Sequence, residues 1–136
     1  MANTRFLGYA MVFDRPYEDG DVFTSGCLDA FLQEPNHLNI PMLNGHNFTD
    51  VLGRWVHMEI DHFGLKVIGE LSVPIPYMTI HDIGLSIGPI DVKGPAARNE
   101  FHGHTANITR LSEISLVPNP RHQSCRVIME LPFSPI

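Results

Sequence analysis

Eleven glycines and eleven prolines fall between short apolar runs all along this chain, and that punctuation restricts its fold more than any other feature. Proline removes a backbone donor and fixes φ, while glycine takes the angles that tight turns need, so the elements between them are short. Short apolar runs bounded by turn residues read as strands. The expected class is mostly β with few short helices. A chain of 136 residues is long enough for one domain with a proper core and too short for two ordinary ones.

The pattern predicts a first strand over Arg5 to Phe13 and a polar turn over Tyr17 to Asp21. A short helix is expected over Cys27 to Gln33, capped by Thr24 or Ser25 and stopped at Glu34-Pro35. Ile40 to Leu43 is a short apolar piece that turns at Asn44-Gly45-His46-Asn47. Leu52 to Ile60 and Leu65 to Leu71, joined by Asp61-His62-Phe63-Gly64, read as a hairpin. Strict alternation in its first strand would put Trp55 and His57 on one face and Arg54, Val56 and Met58 on the other, with Trp55 in the core. Ser72 to His81 and Lys93 to His104 read as loops, and Asn107 to Val117 as one strand stopped by Pro118-Asn119-Pro120. A last strand over Arg126 to Met129 precedes a proline-rich tail from Leu131.

Nine Lys plus Arg against fifteen Asp plus Glu give a formal charge of -6. With no basic run, binding to nucleic acid or to an anionic membrane is not expected. No apolar run approaches the roughly 18 residues that span a bilayer, and the amino terminus lacks a signal-peptide layout. The expected location is the cytosol, or an assembly made there. Cys27 and Cys125 lie far apart and read as reduced thiols. Eight histidines raise a metal reading, but no third ligand joins the His102 and His104 pair at a recognisable spacing, so no metal or cofactor is expected.

Asp82-Ile83-Gly84-Leu85-Ser86-Ile87-Gly88-Pro89 sets one hydroxyl between glycines in an otherwise apolar run. It is not a Gly-x-Ser-x-Gly elbow, yet Gly84 and Gly88 would leave room for a substrate backbone and present amides to an oxyanion. A hydroxyl nucleophile needs an imidazole base and a third polar group to hold that base. His46 is the best base by context, because a turn presents it without burying it. Glu113 is the best orienter: it interrupts the run Leu111 to Val117, and a carboxylate sharing a face with Leu111, Ser115 and Val117 must find a partner or sit at the rim. Taken singly, the three read as a strand serine, a turn histidine and a rim glutamate.

Taken in order, the blocks Gly8 to Asp14, Gly26 to Phe31, Pro41 to Asn47 with Leu52 to Trp55, Gly64 to Leu71, Gly84 to Gly88 and Leu111 to Pro120 resemble the prohead proteases, the head-maturation serine peptidases of tailed bacteriophages. Their fold is similar to that of the herpesvirus assemblin proteases. The resemblance implies an antiparallel β-barrel over residues 1–120, with residues 121–136 forming the last strand and tail. It implies Ser86 as nucleophile, His46 as general base and Glu113 as the residue orienting His46, with His102 or His104 as the alternative third member. It further implies scaffold segments and the major capsid protein as partners inside the procapsid, in the host cytoplasm, and allows a homo-oligomer. One departure stands out. Family members carry a helix of several turns before the serine strand, whereas Ser72 to Ile83 holds Pro74 and Pro76 and has no room for one. The second reading is therefore a non-catalytic structural or decoration component of the capsid, and the third a small β-barrel binding domain outside any phage.

Overall fold

A computed structural model describes residues 4–73 and 79–131. It is mostly β, with strands β1 (Thr4–Val12), β2 (Met42–Asn44), β3 (Asn47–Ile60), β4 (Gly64–Leu71), β5 (Gly84–Ile87), β6 (Ile90–Arg98), β7 (His104–Leu111), β8 (Ile114–Val117) and β9 (Val127–Leu131), and one short helix α1 (Asp29–Gln33). Seven strands form one sheet in the order β5-β8-β2-β3-β4-β1-β9, and β6 and β7 form a separate ribbon. The large sheet curls into a half-barrel, and its two edges approach at a single bridge between Gly84 and Arg126. Where an antiparallel sheet was expected throughout, β2 and β8 pair in parallel, Met42 opposite Ile114. That one parallel pair brings the β2–β3 turn beside β8.

The expected first strand is β1, and the expected hairpin is β3–β4, in which the Asp61 carboxylate accepts the amides of Phe63 at 2.8 Å and Gly64 at 3.0 Å. Trp55 is core, its ring edge-on to Phe6 with centroids 5.8 Å apart. Burying side chains of this size stabilises the fold by about 1.5–3 kcal/mol each. The alternation predicted for β3 fails. A bulge at Val56 shifts the register between Trp55 and His57, so Met58 joins Trp55 in the core while His57 faces solvent. A bulge adds one residue to a strand and thereby moves every later side chain to the opposite face.

Helix α1 begins two residues later than predicted. Leu28 takes the N-cap position without a side-chain bond, and the Thr24 and Gly26 carbonyls close the preceding turns. Leu28 and Phe31 are buried, and the chain leaves the helix at Glu34 as expected. Two further expectations are corrected. Of the loop expected over Lys93 to His104, only residues 99–103 connect strands: Lys93 to Arg98 is the second part of β6 and His104 opens β7, and Gly94 at φ +74° and Pro95 fall at a register break between Lys93 and Ala97. A two-stranded ribbon has free edges, so it accommodates a residue without an N–H. The strand expected over Asn107 to Val117 is two strands in different sheets. It breaks at Ser112 and Glu113, where the Ser112 amide bonds to the Pro89 carbonyl at 3.0 Å and the Glu113 carbonyl accepts from Gly88 at 2.9 Å. The last strand, β9, pairs with β1.

Between β4 and β5 the described residues hold only a 3-10 turn, Ile80–Asp82; Pro74 and Pro76 lie outside the described residues. No helix among the described residues is long and apolar enough to cross a membrane.

Candidate active site

The site is assembled on three neighbouring strands. β5 pairs with β8 so that Ser86 stands directly opposite Ser115, and all four residues of each strand are buried. Ser86 is only 6% exposed, held by sheet on one side and by the Leu85 amide bond to the Cys125 carbonyl (2.8 Å) on the other.

His46 is presented by the turn between β2 and β3. Asn44 pairs with Asn47, leaving Gly45 and His46 as a two-residue loop with φ +56° and +64°. Two successive positive φ values define the type I′ hairpin turn, whose twist matches the strands it joins. A non-glycine residue there costs about 1 kcal/mol, and the contacts that hold it are specific. The Gly45 amide bonds to the Leu116 carbonyl at 3.1 Å, and the His46 amide to the Ser115 hydroxyl at 2.9 Å.

Glu113 lies in the break between β7 and β8 with no exposed surface. A carboxylate removed from water needs donors, and two are supplied. His46 Nδ1 lies 2.8 Å from Oε2, and the Ser115 hydroxyl lies 2.9 and 3.0 Å from the two oxygens. The other imidazole nitrogen, Nε2, is 3.1 Å from Ser86 Oγ. An ionised carboxylate only accepts, so this network places the ring proton on Nδ1 and leaves the Nε2 lone pair toward the serine hydroxyl. Serine, imidazole and carboxylate thus form one continuous chain of hydrogen bonds. His46, the middle member, is 43% exposed, so the chain opens to solvent mainly there.

Ser86, His46 and Glu113 are brought together; the alternative third members are not. His104 is exposed and lies 3.6 Å from Asp21, and His102 sits at φ +63° in the β6–β7 connection. The two glycines have a packing reason in addition to the one expected. A Cβ on Gly88 would stand 2.6 Å from Cγ and Cδ of Glu113, and one on Gly84 would stand 2.6 Å from the Pro120 ring. Both make room for the protein's own side chains. The Gly88 amide is committed to the Glu113 carbonyl, which removes it as an oxyanion donor. Ser115 is a fourth participant, not expected from the sequence as part of the site. Its signal lay in the strand period, which places it two residues after Glu113 on the same face.

Among the described residues no group of three His, Cys, Asp or Glu side chains is arranged to hold a metal ion. The two thiols stand apart from the site. Cys27 is pushed up to about 12 by burial, and Cys125 is also raised by burial, with Tyr17 Oη at 3.4 Å.

No curated protein sequence matches the chain. The profile of the caudovirus prohead serine protease family matches residues 1–132, a span that holds Ser86, His46 and Glu113 together with every described strand. With nearly its whole length matched, the chain belongs to the caudovirus prohead serine protease family.

Proposed function

We propose that the chain is a serine endopeptidase that cuts scaffold and capsid-protein segments as a phage head matures, acting within the procapsid in the host cell. Family membership supports the head-maturation role. The observation that carries the catalytic reading is the unbroken chain from Ser86 Oγ through both nitrogens of His46 to Glu113. His46 Nε2 takes the proton as Ser86 Oγ attacks the scissile carbonyl, and the buried Glu113 carboxylate stabilises the resulting imidazolium. The imidazolium returns that proton to the leaving amine. Water then repeats the sequence to release the acyl group from Ser86. The Ile87 amide, two residues beyond Leu85 and so directed to the same sheet edge, is the candidate donor to the oxyanion. On this reading the half-barrel corresponds to the barrel of the assemblin proteases.

A fluorophosphonate probe tests the assignment. Wild-type protein is expected to label, and both Ser86→Ala and His46→Ala to lose the label; undiminished labelling of Ser86→Ala would overturn it.

The reading as a capsid component draws on one observation, that the described residues between β4 and β5 hold only a 3-10 turn. Stoichiometric copies persisting on the mature shell, together with an unlabelled Ser86, would favour it.

A further inference from the structure

A cleft of about 550 Å³ starts at His46 and at Ile87 and Gly88, the two residues that follow Ser86. Phe23, Phe48, Pro89 and Ile90 supply the rest of its apolar wall, and Asp21 and Arg121 also line it. Such a volume holds one large side chain with its adjoining backbone. Phe48 is 60% exposed, an aromatic ring left in water in the cleft that the proposed base His46 also lines.

The charges lining the cleft are already matched. Arg121 pairs with Asp19, stands 3.7 Å from Asp21 and lies over the Tyr17 ring at 5.3 Å. Asp21 also accepts the His104 amide at 2.8 Å. A charged side chain entering the cleft would lose water against phenylalanine and isoleucine and meet no unpaired opposite charge. An apolar one would cover Phe48 and lose nothing. Because His46 and Ile87 belong to both the cleft and the site, a peptide seated on Ser86 places a side chain next to the cut bond within reach of the cleft.

We infer that this cleft is a substrate subsite for a large uncharged side chain, of leucine to phenylalanine size, on a residue flanking the scissile bond, with Phe48 and Ile90 setting the preference. The inference rests on the peptidase reading above.

The test incubates the full-length protein with a mixed peptide library, reads both sides of each cut by mass spectrometry, and follows fluorophosphonate labelling in parallel. Wild type is expected to label and to favour large apolar over charged residues roughly tenfold or more at one flanking position. Phe48→Lys, a change at an exposed position, is expected to shift the apolar-to-acidic ratio toward acidic residues by about tenfold. A protein that labels but shows no apolar enrichment on either side, or cuts no library member, overturns the subsite. So does a Phe48→Lys protein whose cleavage profile matches wild type. A protein that does not label overturns the catalytic reading, and the subsite with it.

Discussion

Ser86 and Ser115 face each other across the β5–β8 ladder, and their hydroxyls serve opposite ends of one hydrogen-bond chain. Ser86 meets His46 Nε2 at 3.1 Å, while Ser115 joins the His46 amide to the Glu113 carboxylate. Ser115, with no exposed surface, therefore holds both the proposed base and its proposed orienting group.

Replacing Ser115 by alanine removes a donor from a fully buried carboxylate and an acceptor from the turn amide. Ser115→Ala is expected to lose about 1–3 kcal/mol in urea unfolding, and its cleavage rate to fall about tenfold as the His46 ring loses its alignment. Ser115→Thr keeps the hydroxyl and is expected to recover most of both. Equal loss in the threonine variant would show that volume, not the hydroxyl, matters there.

Gly88→Ala would place a methyl group 2.6 Å from two carbons of Glu113, and a side chain with no exposed surface has no solvent to swing into. The carboxylate is expected to shift off His46 Nδ1, lowering kcat by roughly a hundredfold. Circular dichroism should still show a β fold. Wild-type kcat in this variant would mean that Glu113 does not hold the imidazole.

Glu113→Gln retains shape and can still bond to Nδ1, but it removes the charge that favours the imidazolium. The expected loss in kcat is about 10²–10⁴ with KM little changed, as when a triad carboxylate becomes an amide. Full progress curves under substrate saturation would separate the two constants.

Away from the site, Asp61 predicts an acid-side stability effect. Burial opposes ionisation, but the Tyr9 hydroxyl and the Gly64 and Phe63 amides outweigh it and hold the carboxyl below its ordinary value. The same contact pushes Tyr9 up to about 12, with burial adding to it. A folded pKa below the unfolded one stabilises above the unfolded value of about 3.9, and the gain disappears as pH falls through the folded value. Thermal unfolding of wild type and Asp61→Asn should therefore differ at pH 7 and converge as the pH falls below the ordinary carboxylate value and through the lower folded one. A difference that persists at low pH would assign the effect to the turn geometry alone.

Much of the site was legible in the residues. Ser86 between glycines, His46 after Asn44-Gly45 and Glu113 in an apolar run each carry a local signal, because turn formation and burial patterning act over a few neighbouring residues. Ser115 was visible only as an alternating strand position, since its role depends on a turn 69 residues away in sequence. The packing reason for the glycines was not legible, because the atoms that crowd them belong to Glu113 and Pro120, which no local pattern brings near.

The sequence by itself determined the class, the short strands, the β3–β4 hairpin and the residue types of the candidate triad, all of which follow from punctuation and period. Tertiary structure alone decided the bulge that turns His57 outward, the β6–β7 ribbon in place of a loop, and the parallel pairing of β2 with β8. Each of these is set by which strand lies alongside. Strand pairing is a choice among distant partners, and only the folded sheet makes it.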